Sequence, residues 1–135
     1  MKFFLPLVFL ICTVSCSVQK ERTSTDVSDD KIQNDTLRIA NDSLEYEIII
    51  FEPGFNSWLV TQKPRGYYNQ NYLEQRNRTF VINYNQRVLN PFRFDPNLYP
   101  QQINYEYNVD YGYEVNYLLY FYFVYFQQKY GQKLR

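Results

Sequence analysis

The chain has 135 residues, with 14 basic and 14 acidic side chains, no histidine and only two cysteines. That length suits one domain of moderate size, and zero net charge gives no field to steer the protein toward nucleic acid. Without histidine there is no Ser-His or Cys-His catalysis and none of the histidine-containing zinc sites.

At the N-terminus, Lys2 precedes an apolar run from Phe3 to Val14 interrupted only by Pro6 and Thr13. The run is too short to span a membrane, which takes about 20 apolar residues, and has the length of a secretory signal peptide. It ends at Val14-Ser15-Cys16, a small residue directly before a cysteine, which resembles the lipobox of bacterial lipoproteins, although Thr13 stands where that family prefers an aliphatic residue. The resemblance implies that residues 1–15 are removed and that Cys16 becomes the acylated first residue, with Cys12 discarded. The mature chain would then carry no free thiol. An ordinary signal peptide, or a Cys12–Cys16 disulfide in an exported protein, is the alternative. Each acyl CH₂ buried in a bilayer contributes about 0.8 kcal/mol, so two or three chains hold a protein durably on a membrane. Ser17 after the cysteine, where an aspartate would otherwise stand, resembles the sorting signal for the outer membrane.

Residues 16–43 are expected to form a flexible tether. From Ser17 to Ser43 there is no aromatic side chain, and charges of both signs are scattered throughout. Such a composition buries too little apolar surface to offset the entropy of ordering. Near its end, Asp35-Thr36-Leu37 and Asp42-Ser43-Leu44 resemble the Asp-Ser/Thr-aliphatic acceptor signal of a bacterial O-glycosylation system, which marks Thr36 and Ser43 as candidate glycan sites. Local turn capping by Asp and Ser/Thr explains the same triplets without a glycan.

The domain proper is expected over 45–135, where all 15 tyrosines lie with Trp58 and eight of the 11 phenylalanines. Each aromatic buries roughly 150–250 Å², ample for a core. Alternation of Leu44, Tyr46, Ile48 and Ile50 predicts a strand that stops at the Pro53-Gly54 turn. The stretch 56–62 that follows suits a returning strand or a short helix capped by Ser57. Apolar spacing from Tyr72 to Leu89 predicts a helix, with Asn71 and Glu74 as its capping pair and Asn90-Pro91 as its stop. Three prolines between 91 and 100 then require an extended crossing.

The last third carries two periodicities. Apolar positions alternate from Ile103 to Tyr117, the mark of a strand, whereas Val115, Leu118, Leu119, Tyr122 and Phe126 follow helical spacing. The preferred reading is an extended or β segment over 103–109 and a core helix from Asp110, its N-cap, to Tyr130. The fold class is therefore α+β: a small single domain in which an N-terminal strand or hairpin packs with two long amphipathic helices, preceded by the signal peptide and disordered tether.

Residues 45–135 also resemble a family of uncharacterised domains in bacterial envelope lipoproteins, carried by "IIIFEPGFNSWL" (Ile48–Leu59), "NQRVLNPFRFDPNLY" (Asn85–Tyr99) and "DYGYEVNYLLYFYFVYFQQKYGQKL" (Asp110–Leu134). The resemblance implies a lipoprotein context and no activity. Isolated glycines form no phosphate-cradling loop, and no cofactor or metal is expected. The acids available for a hydrolytic pair are Glu52, Asp95, Asp110 and Glu114, but Asp110 and Glu114 also suit a helix start. Recognition remains: Tyr67, Tyr68 and Tyr72, with Tyr105 and Tyr107, are the candidate binding surface. The expected function is a non-enzymatic, lipid-anchored module of the cell envelope, tethered to the membrane at its N-terminus, with an envelope protein as partner; a glycan- or peptidoglycan-binding module is the alternative. Substitution Cys16→Ala is expected to abolish fatty-acid labelling and release the protein from membranes; labelling that persists in the variant would contradict the anchor.

Overall fold

The computed structural model describes residues 35–135. The expected signal peptide, Cys16 and the tether up to residue 34 lie outside the described residues. Two strands, β1 (Thr36–Asn41) and β2 (Tyr46–Phe51), form an antiparallel hairpin with Leu37 opposite Ile50 and Ile39 opposite Ile48. The chain turns between them at Asp42–Leu44, where the Asn41 side chain accepts a hydrogen bond from the Ser43 amide and Glu45 takes a left-handed conformation. This four-residue connection suits an antiparallel pair.

Strand β1 corrects the expectation that 36–43 belongs to the tether. It has no aromatic residue because it needs only two inward side chains: Leu37 and Ile39 are buried, while Arg38 between them faces solvent. A six-residue strand in a polar setting leaves almost no compositional signal. The hairpin partner of β2 therefore precedes it in the chain, and the stretch after the Pro53-Gly54 turn forms helix α1 (Phe55–Leu59). Gly54 caps that helix in the left-handed region (φ 85°), and a Cβ there would lie 2.9 Å from the Tyr125 hydroxyl. Only glycine meets both demands.

Helix α2 (Gln70–Val88) begins two residues earlier than expected. Asn69, not Asn71, is its cap and accepts from the Tyr72 amide at 2.8 Å, while Glu74 accepts from Gln70. Its inward stripe of Leu73, Asn77, Phe80, Val81 and Tyr84 lies against helix α3 (Gly112–Lys129). Asn77 meets Asn116, Phe80 meets Tyr120 and Phe123, and Tyr84 meets Phe126. Both sequences advance together, so the helices run parallel, and residues 89–111 must return along them. The expected extended or β segment over 103–109 is not a strand: it makes no strand pairing and turns at Tyr107 and Asn108, and the Asn85 side chain takes both the N–H and the C=O of Ile103.

Asp110 does not cap α3 by standing at its N-cap, which is Tyr111; it accepts from the Gly112 amide and from the Gln70 side chain. Helix α3 is also not amphipathic as expected. From Val115 to Phe123 nearly every side chain is buried, because α2, β1, α1 and the returning segment enclose it. Among the described residues no helix is long and apolar enough to cross a membrane. The result is an α+β single domain, a hairpin on two long helices. Leu134, beyond α3, is buried and its amide donates to Gln127.

Phe123, fully buried at the α2–α3 contact, and Phe92, fully exposed, form an internal comparison. Phe123→Ala is expected to cost about 3–5 kcal/mol, whereas Phe92→Ala should stay within about 0.5 kcal/mol; denaturant unfolding of the two variants measures both.

Candidate functional site

The expected tyrosine surface divides in two. Tyr67, Tyr68 and Tyr72 come together at the start of α2: Tyr68 stacks on Tyr72 at 4.8 Å, meets Tyr67 edge-on, and rests against Tyr120. The Lys63 ammonium sits 4.6 Å from the centre of the Tyr67 ring. Tyr105 and Tyr107 lie elsewhere. Tyr105 stacks on Tyr111 and donates to Asn116 within the structure, while the exposed Tyr107 ring carries the Arg78 guanidinium at 4.1 Å. Of the glycan candidates, Thr36 lies inside β1, and Ser43 is exposed at the hairpin tip.

Each acid singled out from the sequence has a local partner. Glu114 accepts from Arg65 at 2.7 Å. Asp110 accepts from Gln70 and Gly112, and Asp95 closes the turn at Asn97. Glu52, buried at 4% exposure, accepts from the Lys129 ammonium at 2.6 Å and from the Tyr130 hydroxyl at 3.0 Å. Desolvation opposes the Lys129 charge, but the hydrogen bond and charge of Glu52 outweigh it and raise the Lys129 pKa. Removing either partner would leave a charge stranded in a half-buried setting. Among the described residues no group of three or more acidic or thiol side chains is placed to hold a metal ion.

Glu52 stands at one end of a groove of about 530 Å³ between β2 and residues 97–104. Ile48, Ile50, Leu98 and Ile103 form its apolar walls, and Tyr84, Tyr122 and Phe126 its floor. The Tyr46 hydroxyl bridges the other end, donating to the Asn104 carbonyl at 2.6 Å. Sequence reasoning had part of this signal. The alternation of Tyr46, Ile48 and Ile50 places Glu52 on the same inward face, where a carboxylate requires a cation. What no periodicity shows is that Lys129, 77 residues away, supplies it.

Burial keeps the floor tyrosines protonated. Desolvation pushes the Tyr84 hydroxyl up to about 12, against a smaller opposing effect of Tyr122, and Tyr122 is shifted further in the same direction. Tyr105 is likewise raised to about 12, mainly by desolvation.

The chain belongs to a family of unknown function (DUF6146), which matches residues 3–135. No curated protein and no solved structure matches it.

These raised values set the sign of an alkaline response. A hydroxyl held protonated in the fold contributes stability that is complete below the ordinary tyrosine value of 10 and is lost as pH rises toward 12. Melting temperature is expected to fall steadily between those limits. Tyrosinate absorbance should show Tyr84, Tyr105 and Tyr122 ionising only with unfolding; their ionisation in the intact fold at the ordinary tyrosine value would contradict the burial.

Proposed function

We propose that this chain is a bacterial envelope lipoprotein, anchored through acylated Cys16 in the outer membrane, whose folded domain is a binding module for another envelope protein and performs no catalysis. The groove between β2 and residues 97–104 carries this reading: it is concave, walled by isoleucine and leucine, and floored by protonated tyrosines. Its one deep carboxylate, Glu52, is already satisfied by Lys129 and Tyr130. Apolar walls with a few polar groups at the margins suit recognition. A net charge of zero gives nucleic acid no electrostatic hold. The family match is compatible with such a role and assigns no activity of its own.

A glycan-binding module is the second reading, favoured by the Tyr67–Tyr68–Tyr72 cluster, where Tyr67 is 58% exposed beside the amides of Asn69 and Gln70. Crosslinking of the anchored protein in cells, followed by solubilisation and mass spectrometry with Cys16→Ala as control, separates the two. One envelope protein recovered reproducibly, and only with the anchored form, is the expected result. Recovery of cell-wall glycan in its place would overturn the protein-binding reading.

A further inference from the structure

Among the described residues, strand β2 has a strand partner on one side only. The Glu52 amide donates to the Asp35 carbonyl at 2.7 Å, which makes that a closely bonded pair. Bonded and non-bonded pairs alternate along an antiparallel ladder, so Leu37/Ile50, Ile39/Ile48 and Asn41/Tyr46 are bonded as well. The backbone N–H and C=O groups of Glu47, Ile49 and Phe51 therefore point away from β1. Residues Glu47 to Glu52 line the groove without a break, both faces of the strand included, so the groove runs along this open edge and not beneath one face.

The opposite wall cannot close the gap. Residues 97–104 run antiparallel to β2, with Asn104 beside Tyr46 and Tyr99 near the far end of α3. This wall is held back by Asn85, which occupies both backbone groups of Ile103 at 2.8 Å each. Charge gives the missing strand a character. Two carboxylates line the groove, Glu47 and Glu52, and no lysine or arginine does. Glu52 is neutralised by Lys129, but Arg38 is shared between Glu47 and Asp42, which leaves that end with one net negative charge.

We infer that β2 accepts an added strand from a partner protein: an extended segment running antiparallel to it, apolar at alternate positions, with a lysine or arginine placed to meet Glu47. Main-chain hydrogen bonds to Glu47, Ile49 and Phe51 supply affinity, and the spaces beside Ile48 and Ile50 receive alternate side chains. This inference rests on the protein-binding reading above and specifies its ligand.

The test is selection of a displayed random octapeptide library on the full-length protein, with Ile49→Pro as the comparison. Proline is tolerated at an edge position whose N–H faces outward, and a cooperative melt checks that the variant folds. The enriched peptides are expected to alternate apolar residues and to carry Lys or Arg at the end facing Glu47. Ile49→Pro, or N-methylation of the peptide backbone, should weaken binding at least about tenfold. No enrichment, or peptides that bind Ile49→Pro equally well, would overturn the inference. So would a dimer of the protein that Ile49→Pro dissociates, since the edge would then serve a second copy. If Ile49→Pro leaves the envelope partner captured in cells unchanged, the added strand is wrong while the binding-module reading stands; if nothing is captured at all, that reading fails too.

Discussion

Every tyrosine buried in this domain brings a hydroxyl that needs a polar partner, and that requirement organises the irregular half of the chain. Helix α3 and its flanks carry Tyr111, Tyr113, Tyr117, Tyr125 and Tyr130, whose rings pack in or against the core while their oxygens reach the rim. There Tyr117 donates to the Lys63 carbonyl, Tyr125 to the Pro53 carbonyl and Tyr113 to the Tyr68 carbonyl. The Tyr111 and Tyr113 oxygens also accept from the Glu106 and Gly66 amides. A phenylalanine core would bury similar area and leave those loop groups to water. Here the core helix holds the loops directly, at a net gain of about 1 kcal/mol for each such bond.

The hairpin is held by the same means. Tyr46 reaches across to Asn104 at one end of β2, and Glu52 meets Lys129 and Tyr130 at the other. Between these ties, no strand among the described residues pairs with the outer edge of β2. Native proteins commonly blunt such edges with charge, proline or covering loops. This one has a single exposed carboxylate, Glu47, and exposed Ile49 and Phe51. An edge left so open is costly to solubility unless something pairs with it, which is why the groove beside it, and not the tyrosine cluster, carries the functional reading.

Much of the fold was legible where periodicity is strong. The β2 alternation, the helix stopping before Asn90-Pro91 and the core helix in the last third all follow from apolar spacing. The choice of helix over strand in the overlap at 110–117 also follows the structure, since α3 starts at Gly112. Strand β1 was not legible, because two buried residues among polar neighbours do not raise local hydrophobicity above that of a tether. Capping was misplaced by two residues, from Asn69 to Asn71, because both asparagines offer the same side chain and only backbone geometry selects between them. The tyrosine candidates were drawn from sequence clusters, yet Tyr105 turned out to be tied to Asn116 because hydroxyl pairing is a long-range property. Of the groove, only the inward place of Glu52 follows from periodicity: its walls come from segments separated by about 50 residues of chain, and its end from the Glu52–Lys129 pair.

The claim that tyrosine hydroxyls fix the irregular segments is tested most directly by hydrogen–deuterium exchange on Tyr46→Phe beside the unaltered protein. Loss of that one hydroxyl should speed exchange in residues 100–106 and the hairpin tip, leave the middle of α2 and α3 protected, and lower global stability by about 1 kcal/mol. Unchanged exchange in 100–106 would show that the segment is held by packing alone and that the hydroxyl bridge is incidental.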